Sequence, residues 1–197
     1  MATGLRERKK LATRLALHEA ALRLVAEHGL DGVSVDAIAE RADVSPRTFF
    51  NYFPSKDDAV LGLDPGATDG MTEAYLARPA SESPVQALRA VAREQAAEMA
   101  AETELWPLRM RVIEASPSLL GRLAAAFGQS ERAMAEAIAR RVGSGTDDLY
   151  PMLLAGVSAA AMRSALHRWF ATDFTTSLPD LVDEAWGAVA AGLPAPS

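Results

Sequence analysis

Ser34 to Asp58, SVDAIAERADVSPRTFFNYFPSKDD, packs three helix starts into twenty-five residues. A chain that must restart a helix so often can only build a tight cluster of short helices there. Val35, Ile38, Ala39 and Ala42 recur at helical spacing, giving the first helix one apolar stripe and leaving Asp36, Glu40 and Arg41 outside. Ser34 is its N-cap. The helix ends at Ala42-Asp43-Val44, and Ser45 caps a second helix whose N1 residue is Pro46, where a missing N–H and a fixed φ do no harm. Val44 at N′ and Phe49 at N4 form a hydrophobic staple that sets the entry angle. The third start has Ser55 as cap, with Asp58 reaching back to it as a capping box. The steep link between the first two helices lets one brace while the next enters a DNA major groove. That second helix turns Arg47, Thr48, Asn51 and Tyr52 away from anchors at Phe49, Phe50 and Phe53, and these are groups suited to base edges and phosphates. A short helix pair is common in compact helical proteins; these residue types on its outer face weigh against that plainer reading.

The formal net charge of −6 looks wrong for a DNA binder until it is divided along the chain. Residues 1 to 56 hold nine Lys/Arg against seven acids, and the remainder holds 11 against 19. A mildly basic head on an acidic body directs the head toward phosphate. Arg6, Arg8, Lys9 and Lys10 are either a solvated N-terminus or, beside a helix-turn-helix, an arm along the DNA backbone. With 49% hydrophobic and 23% charged residues the composition is that of a soluble globular protein. No unbroken apolar run of about eighteen residues occurs, and MATGLRERKK leads into charged helix, so a cytoplasmic protein without membrane contact is expected. Zero cysteines exclude disulfides and thiolate metal sites.

At these residues the chain resembles the tetracycline-repressor (TetR) family of bacterial transcription regulators. ADVSPRTFFNYFPSKDDAV is similar to that family's recognition helix and the start of the next helix, and the likeness is specific over roughly residues 10 to 62. It implies that Ser34 and Val35 lie near phosphate, and that Pro46, Arg47, Thr48, Asn51 and Tyr52, with the cap Ser45, face the groove. It also implies that Lys56 contacts the DNA backbone. Phe50 stands where many members carry Tyr, which removes one phosphate contact and makes Tyr52 the candidate substitute. The same stretch resembles actinobacterial members, including those linked to mycofactocin genes, some of which answer to fatty acyl-CoA esters. Toward such a ligand, Arg109 or Arg111 would pair with phosphates.

Further along, one helix runs from about Leu5 to His28, closed by Gly29. The helix opening at Ser55 is cut after about two turns by Gly62-Leu63-Asp64-Pro65-Gly66, where the family would have one long helix. Helices are expected over 68 to 78, 85 to 104, 108 to 115, 117 to 142, 147 to 172 and 177 to 192, before a loose LPAPS tail. The reading is all-α, about nine helices: an N-terminal helix-turn-helix DNA-binding domain over 1–54 and a larger C-terminal ligand-binding and dimerisation domain over 55–197. Around an effector cavity enclosed by residues 85 to 142, Met99, Trp106, Met110, Phe127 and Met134 are apolar candidates, and Arg111 and His167 are polar ones. A Met or aromatic stripe at this spacing also serves as ordinary core. The last two helices carry Gly156, Ala160, Arg163, Trp169, Leu181, Trp186 and Val189, either an internal core pair or, as the resemblance implies, a two-fold dimer interface.

The expected protein is therefore a homodimeric repressor on double-stranded DNA with a pseudo-palindromic operator, released by a small apolar ligand and needing no cofactor. An enzyme is disfavoured. No HExxH, GxSxG, Walker A or GxGxxG pattern occurs, and the three His with no Cys supply no metal cluster. Asp57-Asp58, Asp147-Asp148 and Asp183-Glu184 lie at or near helix starts, where the dipole accounts for them. The competing class is a helical scaffold or ligand-binding protein with no sequence-specific DNA role. It would lack the steep salt dependence of a phosphate-neutralising dimer.

Overall fold

The computed structural model describes residues 4–64, 66–101 and 103–193. Within them lie ten α-helices and no strand: α1 Leu5–His28, α2 Val35–Arg41, α3 Pro46–Phe50, α4 Lys56–Leu61, α5 Ala67–Ala77, α6 Pro84–Ala101, α7 Trp106–Ala115, α8 Pro117–Val142, α9 Leu149–Ala171 and α10 Leu178–Ala190. A 3-10 turn, Thr103–Leu105, precedes α7. Pro65, the side chain of Arg6 and residues 194–197 of the tail, all invoked above, lie outside the described residues.

Local capping explains most boundaries. Ser34, Ser45, Ser55 and Ser177 each accept a backbone N–H from the third residue on, as N-caps do. At α6 a full reciprocal box forms, with Gln86 N–H donating to Ser83 Oγ and Ser83 N–H to Gln86 Oε1. The expected cut in the helix that opens at Ser55 is present, and α4 stops after six residues. Gly62 takes φ 62° as its C-cap, and Leu63 N–H returns to the Asp58 carbonyl at 2.9 Å.

The helices group into two compact units. Met1–Ala67 with Glu104–Ala126 form one; Thr68–Thr103 with Phe127–Ser197 form the other. The first unit reaches beyond α1–α3. Its core joins Leu17, Ala21 and Leu22 of α1 and Ile38 of α2 to Phe49, Phe53 and Leu61, and also to Val112 and Ile113 of α7 and Leu119 of α8. Three helices alone leave too little apolar surface to close a core of this size.

In the second unit α10 packs on both α6 and α9. Trp169 and Trp186 are almost fully buried there among Leu88, Leu154 and Val182. Arg89 and Arg93 both donate to the Asp183 carboxylate, at 2.7 and 2.8 Å, clipping α10 to α6 from outside. Arg141, in the last turn of α8, donates to the carbonyls of Tyr75, Arg78, Pro79 and Glu82. Tyr75 O and Pro79 O each also take a turn N–H, from Arg78 and Glu82, so the guanidinium adds to the turn bonds there and ties the end of α5 and the loop after it to α8. Arg141→Ala should lower stability by about 1.5–3 kcal/mol in denaturant unfolding. Arg141→Lys should recover only part of it, because one ammonium cannot span four carbonyls. An unchanged midpoint in the alanine variant would remove this role.

Candidate nucleic-acid interface

The α2–α3 corner is set by a residue that sequence reasoning passed over. Asp43 adopts φ 53°, in the left-handed region, with its N–H bonded to Glu40 O and the Val44 N–H to Ala39 O. This is a Schellman turn with Asp where Gly is usual; a short polar side chain is the non-glycine type that tolerates the conformation. Ser45 then starts α3 at once. Its hydroxyl accepts Thr48 N–H at 3.1 Å and bonds the Thr48 hydroxyl at 2.9 Å, so Thr48 helps to hold the cap.

Beneath α3, Phe49 and Phe53 are fully buried. Phe50, expected as a third anchor, is instead 58% exposed and lies edge-on to Phe49 at 5.4 Å. A helix of five residues has room for only one buried stripe, and positions 49 and 53 take it. On the outer side Ser34, Ser45, Pro46, Arg47 and Asn51 are exposed, and Val35, Thr48 and Tyr52 are half-buried. Each of these predicted contacts is thus at least partly open to solvent, with Val35 and Tyr52 also packed against the core. Lys56 is used differently. Its ammonium donates to Leu30 O at 2.6 Å and Val33 O at 3.0 Å, binding the α1–α2 link to the start of α4. Two of its three N–H groups are thus taken inside the chain.

What fixes α3 from behind is α4. Asp58 is 2% exposed. Its Oδ2 accepts the Ser55 hydroxyl at 2.7 Å, and its Oδ1 accepts Nε and Nη2 of Arg122, from α8, at 2.7 and 2.6 Å. The capping-box carboxylate thus returns to the Ser55 hydroxyl and to a distant guanidinium. At the other end of α4, His18 Nδ1 lies 2.7 Å from the Ala59 carbonyl. A carbonyl only accepts, so Nδ1 carries the proton. The ring lies under Gly62, where an added Cβ would stand 3.0 Å from Cε1, so a side chain there would crowd the ring as well as strain the positive φ.

The effector candidates divide between the units. Trp106, Met110 and Arg111 belong to the first, and Met99, Phe127, Met134 and His167 to the second. Trp106 is buried under the Arg109 guanidinium, 4.4 Å from its ring. Arg111 is exposed on an open cleft of about 740 Å³ that it shares with Arg23, Leu30, Val112 and Ser118. Met134 is 4% exposed, Phe127 45%, and His167 is at the surface. Of the dimer candidates, Trp169, Leu181 and Trp186 are buried in the chain's own core, because α10 packs back onto α6 and α9. Gly156 and Val189 are half-buried, and Ala160 and Arg163 are exposed.

The family model for bacterial regulatory proteins of the tetR family matches residues 17–61, spanning α2 to α4, and the model for the MftR C-terminal domain matches residues 82–194. The chain belongs to the TetR family. It is similar to the HTH-type transcriptional regulator TcmR of Streptomyces glaucescens, 34% identical over 174 residues that cover 85% of this chain and 77% of TcmR. MftR of Mycobacterium tuberculosis is 30% identical over 193 residues, covering 94% and 93%. Among solved structures the fold is shared with the SmeT–triclosan complex (TM-score 0.59, 21% identity, 94% and 99% covered). It is also shared with FadR of Thermus thermophilus in complex with lauroyl-CoA (TM-score 0.56, 24% identity, 93% and 96% covered). This TetR-family chain is a transcriptional regulator.

The contact between His18 and α4 makes a pH prediction. Burial lowers the His18 pKa from 6.5 to about 4; the bond to Ala59 opposes the shift, while Arg109 and Arg14 add to it. The folded state thus keeps the ring neutral where the unfolded chain would protonate it. Its stability is whole above pH 6.5 and is lost as pH falls from 6.5 toward 4, by roughly 3 kcal/mol in total. His18→Asn, which keeps a donor for Ala59 O, should flatten that slope in urea titrations between these limits. Parallel curves for the two proteins would show that His18 is not the titrating group.

Proposed function

We propose that this TetR-family regulator is a homodimeric repressor in which Arg47 and Asn51 read bases. Ser34, Val35, Ser45, Pro46, Thr48 and Tyr52 fix the register on phosphates and sugars, with the remaining N–H of Lys56 beside them. The observation that carries this reading is the exposed Arg47–Asn51 face on a helix pinned from behind by Phe49 and Phe53.

The dimer reading is supported by α9. Leu149–Ala171 has a mean hydropathy of 1.3, enough by length and composition to cross a membrane, yet only 28% of that window is buried. Leu149, Met152 and Leu153 are more than half exposed. Such a surface needs a cover, and the residues beside it favour a second copy. Arg163, His167 and Arg168 are exposed on α9 and Asp180 and Glu184 on α10, so antiparallel copies would set unlike charges together. Two heads then reach successive turns of one duplex. The effector reading draws on the solved structures of similar fold, whose ligands, triclosan and lauroyl-CoA, each carry a large apolar part.

Arg47→Ala should weaken binding to the cognate site by about 1–3 kcal/mol in fluorescence anisotropy while barely changing affinity for random DNA. Equal losses on both would place Arg47 on phosphate, and no preference for any site in the wild type would favour the scaffold reading. Ala160→Glu should convert the dimer to monomer in sedimentation and weaken operator binding with it. A dimer that survives the change would move the interface away from this face of α9.

A further inference from the structure

Of the two aromatic rings in α3, Phe49 is fully buried and Phe50 is 58% exposed. Arg47, three residues before Phe50, and Asn51, next to it, are exposed as well. Asn51 is the C-cap and keeps right-handed helical angles, φ −75° and ψ −15°. Residues three and four apart on a helix are neighbours, so Arg47, Phe50 and Asn51 stand on one face. The ring is braced from behind, edge-on to Phe49 at 5.4 Å with 86° between the planes.

A single exposed hydrophobic side chain is ordinary on a protein surface. This one falls within the residues 17–61 that match the tetR family model, beside the two residues proposed above to read bases. The chemistry of a phenyl ring then narrows what it can meet there. It offers no N–H or O–H to a phosphate, nor to the N7, O6 and O4 acceptors of the bases. Stacked bases keep their flat faces to one another. The apolar group that base pairs do present in the major groove is the C5-methyl of thymine. Closing water out from between that methyl and a ring already held in place gains apolar burial without ordering a loose side chain.

We propose that Phe50 is a specificity-determining residue whose ring meets the C5-methyl group of one thymine in each half-site of the operator. This deepens the base-reading role of Arg47 and Asn51 and rests on that reading for the placement of α3 in the major groove. A tyrosine at this position would carry its hydroxyl to a phosphate, a contact that every sequence offers. Phenylalanine exchanges that contact for one that registers a single methyl group, and so moves position 50 from holding DNA to reading it.

The full-length protein first selects its preferred duplex from a random pool. Each thymine of that duplex is then replaced in turn by deoxyuridine, which removes the methyl group and leaves the pairing edge intact, and binding is followed by fluorescence anisotropy. One thymine in each half-site should respond, its replacement weakening wild-type binding about four-fold per half-site, the worth of one buried methyl group. In Phe50→Ala that penalty should vanish while the other base preferences of the wild type persist, which shows the variant to be folded. In Phe50→Tyr, which keeps the ring, the penalty should remain. A duplex in which no thymine responds, or a response of full size in Phe50→Ala, overturns the proposal. Loss of the response in both variants overturns it too, because the ring would then not be the contact. A wild type that selects no sequence at all removes base reading by Arg47, Asn51 and Phe50 together. Selection that Arg47→Ala abolishes, with no thymine response tied to Phe50, leaves base reading in place and sinks the role of Phe50 alone.

Discussion

A carboxylate buried to 2% exposure, that of Asp58, is the constraint on which the DNA-binding head depends. It caps α4 through Ser55 and pairs with Arg122, and taking Arg122 away would leave a buried carboxylate without its counter-charge, at an expense on the order of several kcal/mol. A six-residue helix has no independent stability. The chain keeps α4 by fastening every part of it. Lys56 holds the α1–α2 carbonyls, Asp58 holds Arg122, and the Ala59 carbonyl takes the His18 proton. Val60 and Leu61 fill the core between. Because α3 is joined to α4 through Phe53, Pro54 and Ser55, the exposed residues of α3 inherit the rigidity of this cluster.

Caps and apolar spacing are local properties, and what they govern was legible in the sequence. The starts of α2, α3, α4 and α10 follow from Ser34, Ser45, Ser55 and Ser177, and the stop of α4 from Gly62. The box of Ser83 and Gln86 was equally readable and was overlooked. Partner choice was not legible, because spacing tells which face a residue occupies and not what lies opposite. Lys56 looks like any surface lysine until the Leu30 and Val33 carbonyls are brought to it from more than twenty residues away. Phe50 fits the apolar stripe on paper, yet a helix as short as α3 buries only Phe49, with Phe53 just beyond its end. Trp169 and Trp186 suit an interface or a core equally well by pattern. The packing of α10 against α6 and α9 assigned them to the core.

That assignment changes what the dimer reading can rest on. With the tryptophans withdrawn, the face left on α9 is narrower and flatter, made of Leu149, Met152, Leu153 and Ala160 with Arg163 beyond. Small and linear side chains allow close helix approach, and the flanking charges choose direction more than they add affinity. The acidic surplus beyond residue 56 has a separate effect. A negative surplus repels phosphate and a positive one attracts it, so the charge division favours approach of a polyanion to the first 56 residues over the remainder.

The interruption at Gly62 bears on how such a regulator can switch. A single long helix four would be a stiff rod leaving the head, but here α4 ends in a left-handed residue packed on His18, and α5 starts afresh at Ala67. The uninterrupted element is α8, whose 26 residues divide between the two compact units at Ala126 and Phe127. In the first unit it holds α4 through Arg122, and in the second it holds the end of α5 through Arg141. Both attachments are guanidinium clamps with several hydrogen bonds, which fix orientation as well as distance. Each clamp acts within its own unit: Arg122 orients the Asp58 carboxylate and with it α4, and Arg141 orients the main chain at the end of α5.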